Sequence, residues 1–234
     1  MLGGQPQELL VLDDIRAGFR RLTRHLGGSP DDAFLKSVGG VIHVGANEGQ
    51  EREQYDKLGL RVIWVEPIPD VFQKLQANIA RFPRQKAVQA LLTDIAGKAY
   101  DFHISNNSGV SSSILELELH KDIWPDVTYT DKISLCSTTL SDLIKDQAID
   151  IRDYQALVMD TQGSELLVLK GAEDLMVNFK FVKTEVPDFE AYKGCCVLDE
   201  MKSYLEGFGF REIHRNKFAE REAGGSYYDV VYGR

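Results

Sequence analysis

From Gly40 onward the chain alternates short apolar segments with amphipathic ones, and this alternation restricts the fold more than any other feature of the sequence. Val41 to Val44 reads as a buried strand, followed by a turn and a polar helix through Leu58. Arg61 to Glu66 is a second strand. Asp70 to Arg81 is a helix with Val71, Phe72, Leu75 and Ile79 on one face, and Gln85 to Leu92 is a third strand. Strand–helix–strand units with short connections build a parallel sheet through right-handed crossovers. Ala99 to Ile104 and Ile133 to Ser137 read as strands on either side of a polar stretch that contains Ser105 to Ser113. The alternation then resumes with a strand at Gln155 to Asp160, a helix over Glu165 to Val177, a strand at Phe181 to Val186 and a helix at Leu198 to Glu206. Phe210 to His214 and Tyr227 to Tyr232 follow with only a Gly-rich loop between them, which predicts an antiparallel hairpin. The expected architecture is a doubly wound α/β fold, mostly parallel, ending in that hairpin.

Upstream, Leu12, Ile15, Phe19, Leu22 and Leu26 recur at helical spacing with Arg16, Arg20, Arg21 and Arg24 largely off the stripe. Gly27-Gly28 ends that helix and Ser29-Pro30-Asp31-Asp32 opens a short second one. Residues 1–38 are therefore expected to form a helical extension and residues 39–234 the main domain. The first helix either packs on that domain or serves as a lid or homodimer contact. Apolar runs reach four residues (Val62 to Val65, Leu166 to Leu169), far short of the ~20 that a membrane helix needs. Met1 to Leu12 lacks the pattern of a signal peptide, and three cysteines suit neither a disulfide framework nor a zinc site. A cytoplasmic address with no membrane partner is the expectation. The formal net charge of −9 argues against a protein that wraps nucleic acid.

The strongest local signal is His43-Val44-Gly45-Ala46-Asn47-Glu48-Gly49, where the first strand turns into a helix. Glycines there allow close backbone approach to a ligand, so Gly45, Ala46, Asn47 and Gly49, with His43, are candidate cofactor contacts. Val65-Glu66-Pro67 ends the second strand with a carboxylate, the position from which an acid accepts hydrogen bonds from both ribose hydroxyls of a nucleotide-like cofactor. Thr93-Asp94, after the third strand, is a candidate for the adenine, or a plain turn ending at Gly97. A nicotinamide cofactor would need Gly-x-Gly-x-x-Gly, and a P-loop a Gly-Lys-Ser/Thr ending. The chain has neither, and S-adenosyl-L-methionine, which carries no phosphate, fits better.

The block Val41-Ile-His-Val-Gly-Ala-Asn-Glu-Gly-Gln50, with Glu66-Pro67 through Asn78, resembles the FkbM-type methyltransferases. Leu157-Val-Met-Asp-Thr-Gln-Gly-Ser-Glu through Ala172 is similar to that family's Asp-x-Glu-Gly-x-Glu segment, and the likeness runs from about Val38 to Tyr232. The resemblance implies a seven-stranded class I methyltransferase fold, use of S-adenosyl-L-methionine, and methylation mostly of hydroxyl oxygens on sugars or natural products. This chain departs from the family at two positions: His43 stands where many relatives have an acid, and Gln162 where Glu is usual.

Ligands in such sheets sit beyond the carboxyl ends of the strands. Asp160 is the first choice for contact with the cofactor amino group or the acceptor hydroxyl, with a helix N-cap as its other reading. Glu185, an acid in an apolar strand, either faces the acceptor or pairs with a lysine such as Lys183 or Lys170. His103 is a candidate general base, or a half-buried strand residue. Glu165 reads as serving the helix start. His25, His120 and His214 show no ligand spacing, and no metal site is expected. The Ser105 to Ser113 stretch is either a lid or a solvated connector. The expected function is O-methylation of a small molecule or glycoside. The alternatives are N- or carboxyl-methylation, a silent adenosine-ligand module, and, third, an NAD-linked oxidoreductase.

Overall fold

The computed structural model describes residues 30–234. The helix expected over Leu12 to Leu26 lies outside the described residues. The strands are β1 (Gly40–Val44), β2 (Arg61–Glu66), β3 (Gln85–Gln89), β4 (Leu91–Leu92), β5 (Ala99–Ser105), β6 (Tyr129–Thr138), β7 (Ala156–Met159), β8 (Phe181–Pro187), β9 (Arg211–Glu220) and β10 (Ser226–Gly233). The α-helices are α1 (Arg52–Lys57), α2 (Pro69–Ile79), α3 (Leu140–Asp146), α4 (Glu165–Lys170) and α5 (Leu198–Gly207). Pro30–Ser37 is a 3-10 helix.

Seven strands form one sheet in the order β3-β2-β1-β7-β8-β10-β9. All neighbours are parallel except β10, which runs antiparallel to both β8 and β9. The doubly wound, mostly parallel seven-stranded sheet with its terminal antiparallel hairpin is thus present. Period-two alternation explains why β1, β2 and β7 are apolar on both faces. Ile42, Val44, Ile63, Val65, Leu157 and Met159 face a core shared with α3, α4 and α5. Val41, Val62, Trp64, Ala156 and Val158 face the opposite core, built with Phe34, Leu35, Tyr55, Leu75 and Ile79. Helices therefore cover both faces, and the parallel strand ends open onto one edge. Among the described residues no helix is long and apolar enough to cross a membrane.

Four expected elements change in the structure. The strand expected over Gln85 to Leu92 breaks at Ala90: β3 stays beside β2, whereas β4 leaves to pair with β6 in a separate three-stranded sheet. The helix expected over Glu165 to Val177 ends at Lys170, and Glu173–Asn178 continues as a 3-10 helix. A Cβ at Gly171 would lie 2.2 Å from the Thr93 carbonyl oxygen, so the chain turns where β4's exit loop presses against it. Helix α3 is an additional element not expected from the sequence: Thr139 Oγ1 accepts the Asp142 N–H at its start, and Leu140, Leu143 and Ile144 are buried along it. β6 and β9 are both longer than expected at one end, because antiparallel partners carry the pairing into polar sequence.

Candidate functional site

β1, β7 and β8 lie side by side, and residues at or near the ends of β1 and β7, with Lys183 to Glu185 of β8, line one small cleft of about 50 Å³. His43 comes from β1, Asp160 follows β7, Lys183 and Glu185 come from one face of β8, and Asp229 from β10 stands in register with Glu185. Asp32 from the 3-10 helix and Gln54 and Tyr55 from α1 form the far wall. The cleft therefore brings together Asp160, Glu185 and His43, three of the residues expected at the site. The lysine does not pair with Glu185: Lys183 Nζ donates to Asp32 Oδ1 at 2.6 Å, and Asp32 and Asp229 hold it in its charged form against the cost of burial. His43 stacks on Trp64 with ring centroids 4.9 Å apart, and its Nδ1 lies 3.2 Å from the Tyr55 hydroxyl.

The turn after β1 has Gly45, Asn47 and Gly49 in the left-handed region, with φ of 76°, 45° and 72°. The glycines answer to protein neighbours. A Cβ at Gly45 would fall 1.8 Å from the main-chain oxygen of Asp160, and one at Gly49 would fall 2.7 Å from Leu75 Cδ1. Gly45 thus lets β1 and β7 close on each other at the strand ends, and Gly49 lets α2 approach the turn. Ala46 is buried in the core between them. Glu66 ties this turn to the next one: Oε2 accepts the Asn47 N–H at 2.8 Å and Oε1 the Ile68 N–H at 2.9 Å. Pro67 sits between, its carbonyl 3.4 Å from Gln89 Nε2. Burial, with the nearby charge of Asp160, pushes Glu66 up to about 7 against those two hydrogen bonds.

Glu165 fulfils the structural role expected of it. Its carboxylate accepts N–H groups of Thr161 and Gly163, and burial pushes it up to about 7. An acid that holds its proton more tightly when folded contributes stability below its unfolded value of 4.5, and that contribution is lost as pH rises through 7. Glu165→Gln should remove this loss, which for one such group is about 3 kcal/mol. Denaturant unfolding at pH 5 and pH 8 should show wild type weakening relative to the variant; parallel profiles would refute the assignment.

Other expected residues lie elsewhere. Asp160 does not cap α4; its Oδ1 instead accepts Gln162 Nε2. Thr93 is buried, its Oγ1 bonds the Ile95 carbonyl, and Thr93-Asp94 begins a turn with Gly97 in the left-handed region, outside the lining of this cleft. His103 stacks on Tyr129, approaches Glu116 to 3.4 Å, and lines a separate open cleft of about 390 Å³ on the three-stranded sheet. The structure therefore does not bring His103 to Asp160 and Glu185. His120 lies buried among Trp124, Tyr192 and Tyr227, and His214 pairs with Asp31.

The Ser105 to Ser113 stretch is held by its own hydrogen bonds and by one to the turn after β7. Ser105, Asn107, Ser111 and Ser112 bond one another, and Ser113 Oγ donates to the Gln162 carbonyl at 2.8 Å. Sequence reasoning missed the wall residues Asp32, Gln54, Tyr55 and Asp229, and also Tyr192. Alternation along β8 places Lys183 and Glu185 on one face, but nothing local marks the others.

The donor set suits a cationic, phosphate-free cofactor. Five carboxylates (Asp32, Glu51, Asp160, Glu185, Asp229) and one lysine line the cleft, an environment that favours an ammonium or sulfonium and disfavours a pyrophosphate. Gln54 Oε1 is buried in the wall with no hydrogen-bond partner among the described residues, an acceptor awaiting a donor. No group of three or more His, Cys, Asp or Glu among the described residues is arranged to hold a metal ion.

The family model described as "Methyltransferase FkbM domain" matches residues 43–212. No curated protein matches the chain. Among solved structures the chain is similar to magnesium protoporphyrin IX methyltransferase from Synechocystis PCC 6803 with bound S-adenosylmethionine, at TM-score 0.49 and 10% identity over 100% of both chains. TrmK from M. capricolum with S-adenosylhomocysteine gives TM-score 0.49 and 6% identity over 88% of this chain and 68% of that one. TYW2 from P. horikoshii gives TM-score 0.46 and 10% identity over 88% and 64%.

Proposed function

The chain belongs to the FkbM methyltransferase family, and from that premise we propose that it methylates a hydroxyl oxygen of a small molecule or glycoside, with residues 39–234 as the catalytic domain and residues 1–38 as an extension. The observation that carries this reading is the shared cleft of His43, Asp160 and Glu185 at or near the ends of β1, β7 and β8. S-adenosylmethionine supplies the electrophilic methyl carbon of an in-line displacement. What is left to the protein is alignment, worth on the order of 7–11 kcal/mol, and removal of the hydroxyl proton, worth roughly a hundred- to ten-thousand-fold.

Glu66 holds the ribose, and the turn from Gly45 to Gly49 lies against the rest of the nucleoside. His43 and Gln54 take the methionine end. Asp160 would take the acceptor hydroxyl's proton, the methyl–sulfur bond of the cofactor being the one that breaks with S-adenosylhomocysteine as leaving group, and Glu185 with Asp229 would orient the acceptor's other hydroxyls. The carboxylate-lined wall supports a neutral or cationic acceptor over a polyphosphate chain, because carboxylates outnumber cationic side chains in the lining and would repel added phosphate charge.

Titration calorimetry with S-adenosylmethionine, S-adenosylhomocysteine and NAD tests the cofactor: the first two should bind in the micromolar range and NAD should not. A panel of glycosides, simple alcohols, amines, carboxylic acids and a mixed RNA, supplied with methyl-labelled cofactor, tests the acceptor. Label on a glycoside or alcohol oxygen supports the reading, and label on nitrogen, carboxylate or RNA overturns it. In Asp160→Asn, turnover should fall about a hundredfold, the low end of general-base catalysis, while cofactor affinity stays within about threefold. Equal loss in both would mean that Asp160 serves the cofactor.

A further inference from the structure

Asp160 is held by a side chain that itself lies outside the cleft lining. The turn after β7 is bent sharply: Gln162 has φ 54°, in the left-handed region, and its side chain is buried. The Tyr192 hydroxyl, also buried, donates to Gln162 Oε1 at 2.6 Å, and Gln162 Nε2 donates to Asp160 Oδ1 at 2.5 Å. These two bonds fix which way the amide faces. An ionised carboxylate only accepts, so the NH₂ end must face Asp160, which leaves the amide oxygen to accept the Tyr192 hydroxyl.

The Gln162 main chain is pinned as well. Ser113 Oγ bonds its carbonyl, and a Cβ at the neighbouring Gly163 would touch Cys195, Tyr192 and Leu115 at 3.1–3.2 Å. The turn is thus clamped between the segment that leads from β5 to β6 and the connection from β8 to α5. Neither segment contributes a residue to the cleft.

We infer that Gln162, set by Tyr192, is a positioning residue that fixes the plane of the Asp160 carboxylate toward the acceptor. An amide suits this task better than a second carboxylate would. It donates to an ionised acid at every pH, whereas a neighbouring carboxylate would repel it. The other titratable groups around Asp160 are Glu66 and Glu165, which feel its charge, and His43, Lys183, Glu185 and Asp229 in the cleft. None of them sits in the chain of bonds from Tyr192 to Asp160. The inference rests on Asp160 being the residue that faces the acceptor.

The test is a double-mutant cycle on the full chain, using the panel acceptor that turns over fastest. Gln162→Met keeps the side-chain length and removes the donor. It should lower turnover about tenfold, with S-adenosylmethionine affinity and Tm little changed. Tyr192→Phe keeps the ring in its packing and should lower turnover by a smaller factor, about threefold. In an Asp160→Asn background, Gln162→Met should cost nothing further, because the group it orients is gone. A loss of the same size in both backgrounds overturns the inference, as does a crystal structure of Gln162→Met with the Asp160 carboxylate unmoved. If Asp160→Asn by itself leaves turnover intact, it is the assignment of Asp160 that fails, and the crystal structure still decides whether Gln162 orients it.

Discussion

Replacing Glu66 with alanine should weaken S-adenosylmethionine binding by about three orders of magnitude. Two charge-assisted hydrogen bonds to the ribose, at roughly 2 kcal/mol each, would be lost together. The same carboxylate organises the site before any ligand arrives, since it holds the N–H groups of Asn47 and Ile68 from two different turns. Removing it leaves two donors unsatisfied and loosens the turn that carries Gly45 to Gly49. Glu66→Gln, which keeps one acceptor oxygen, should lose less. Burial pushes this carboxyl up to about 7, and in the proposed role it is the ionised form that would accept both ribose hydroxyls. Affinity in the wild type should therefore climb as pH rises from 6 to 8, and the climb should disappear in Glu66→Gln. Calorimetry at three pH values checks both statements. An alanine variant that binds within tenfold of wild type would remove Glu66 from the cofactor site.

The second large effect concerns folding. Gly45→Ala places a methyl group 1.8 Å from the Asp160 oxygen, at the point where Asp160 N–H donates to the Val44 carbonyl and β1 lies against β7. Neither partner is a flexible side chain, so two central strands must separate to admit it. Their apolar faces sit in both cores, and the cost should reach about 4 kcal/mol or more, a large share of the stability of a domain. Two companion variants separate the causes. Gly97→Ala has φ 77° with nothing within 4 Å, so it reports the left-handed conformation alone, about 1 kcal/mol. Gly49→Ala adds a 2.7 Å approach to Leu75 Cδ1, the end of a side chain that can turn aside, and should fall between the two. Denaturant unfolding should rank the losses as Gly45, then Gly49, then Gly97. If Gly45→Ala costs no more than Gly97→Ala, the glycine is there for a ligand and the strand contact is incidental.

The parallel sheet, its order of strand and helix and its closing hairpin were legible because period-two and period-3.6 burial patterns are local properties of the chain. Glu66 was legible for a related reason: a carboxylate that ends a buried strand has few places to go. The purpose of Gly45 was not legible. A loop glycine suggests room for a ligand, yet its neighbour is Asp160, far along the chain, brought there only by the β1–β7 pairing. His103 fitted a base by its chemistry, but β5 belongs to the smaller sheet and turns it onto another cleft. Helix α3 was not legible although its cap is local, because seven residues with three buried apolar positions are too short a window for a helical period to stand out.

The sequence by itself determined the sheet, the glycine-bearing turn after β1 and the acids at or near the ends of β2, β7 and β8, since alternation and strand termini are written in neighbouring residues. Only the tertiary structure decided which of those acids share a cleft, that Lys183 belongs to Asp32, and that Tyr192 and Gln162 stand behind Asp160. Each of these is a contact between segments distant in sequence, and such contacts depend on how the strands are ordered, which no local pattern records.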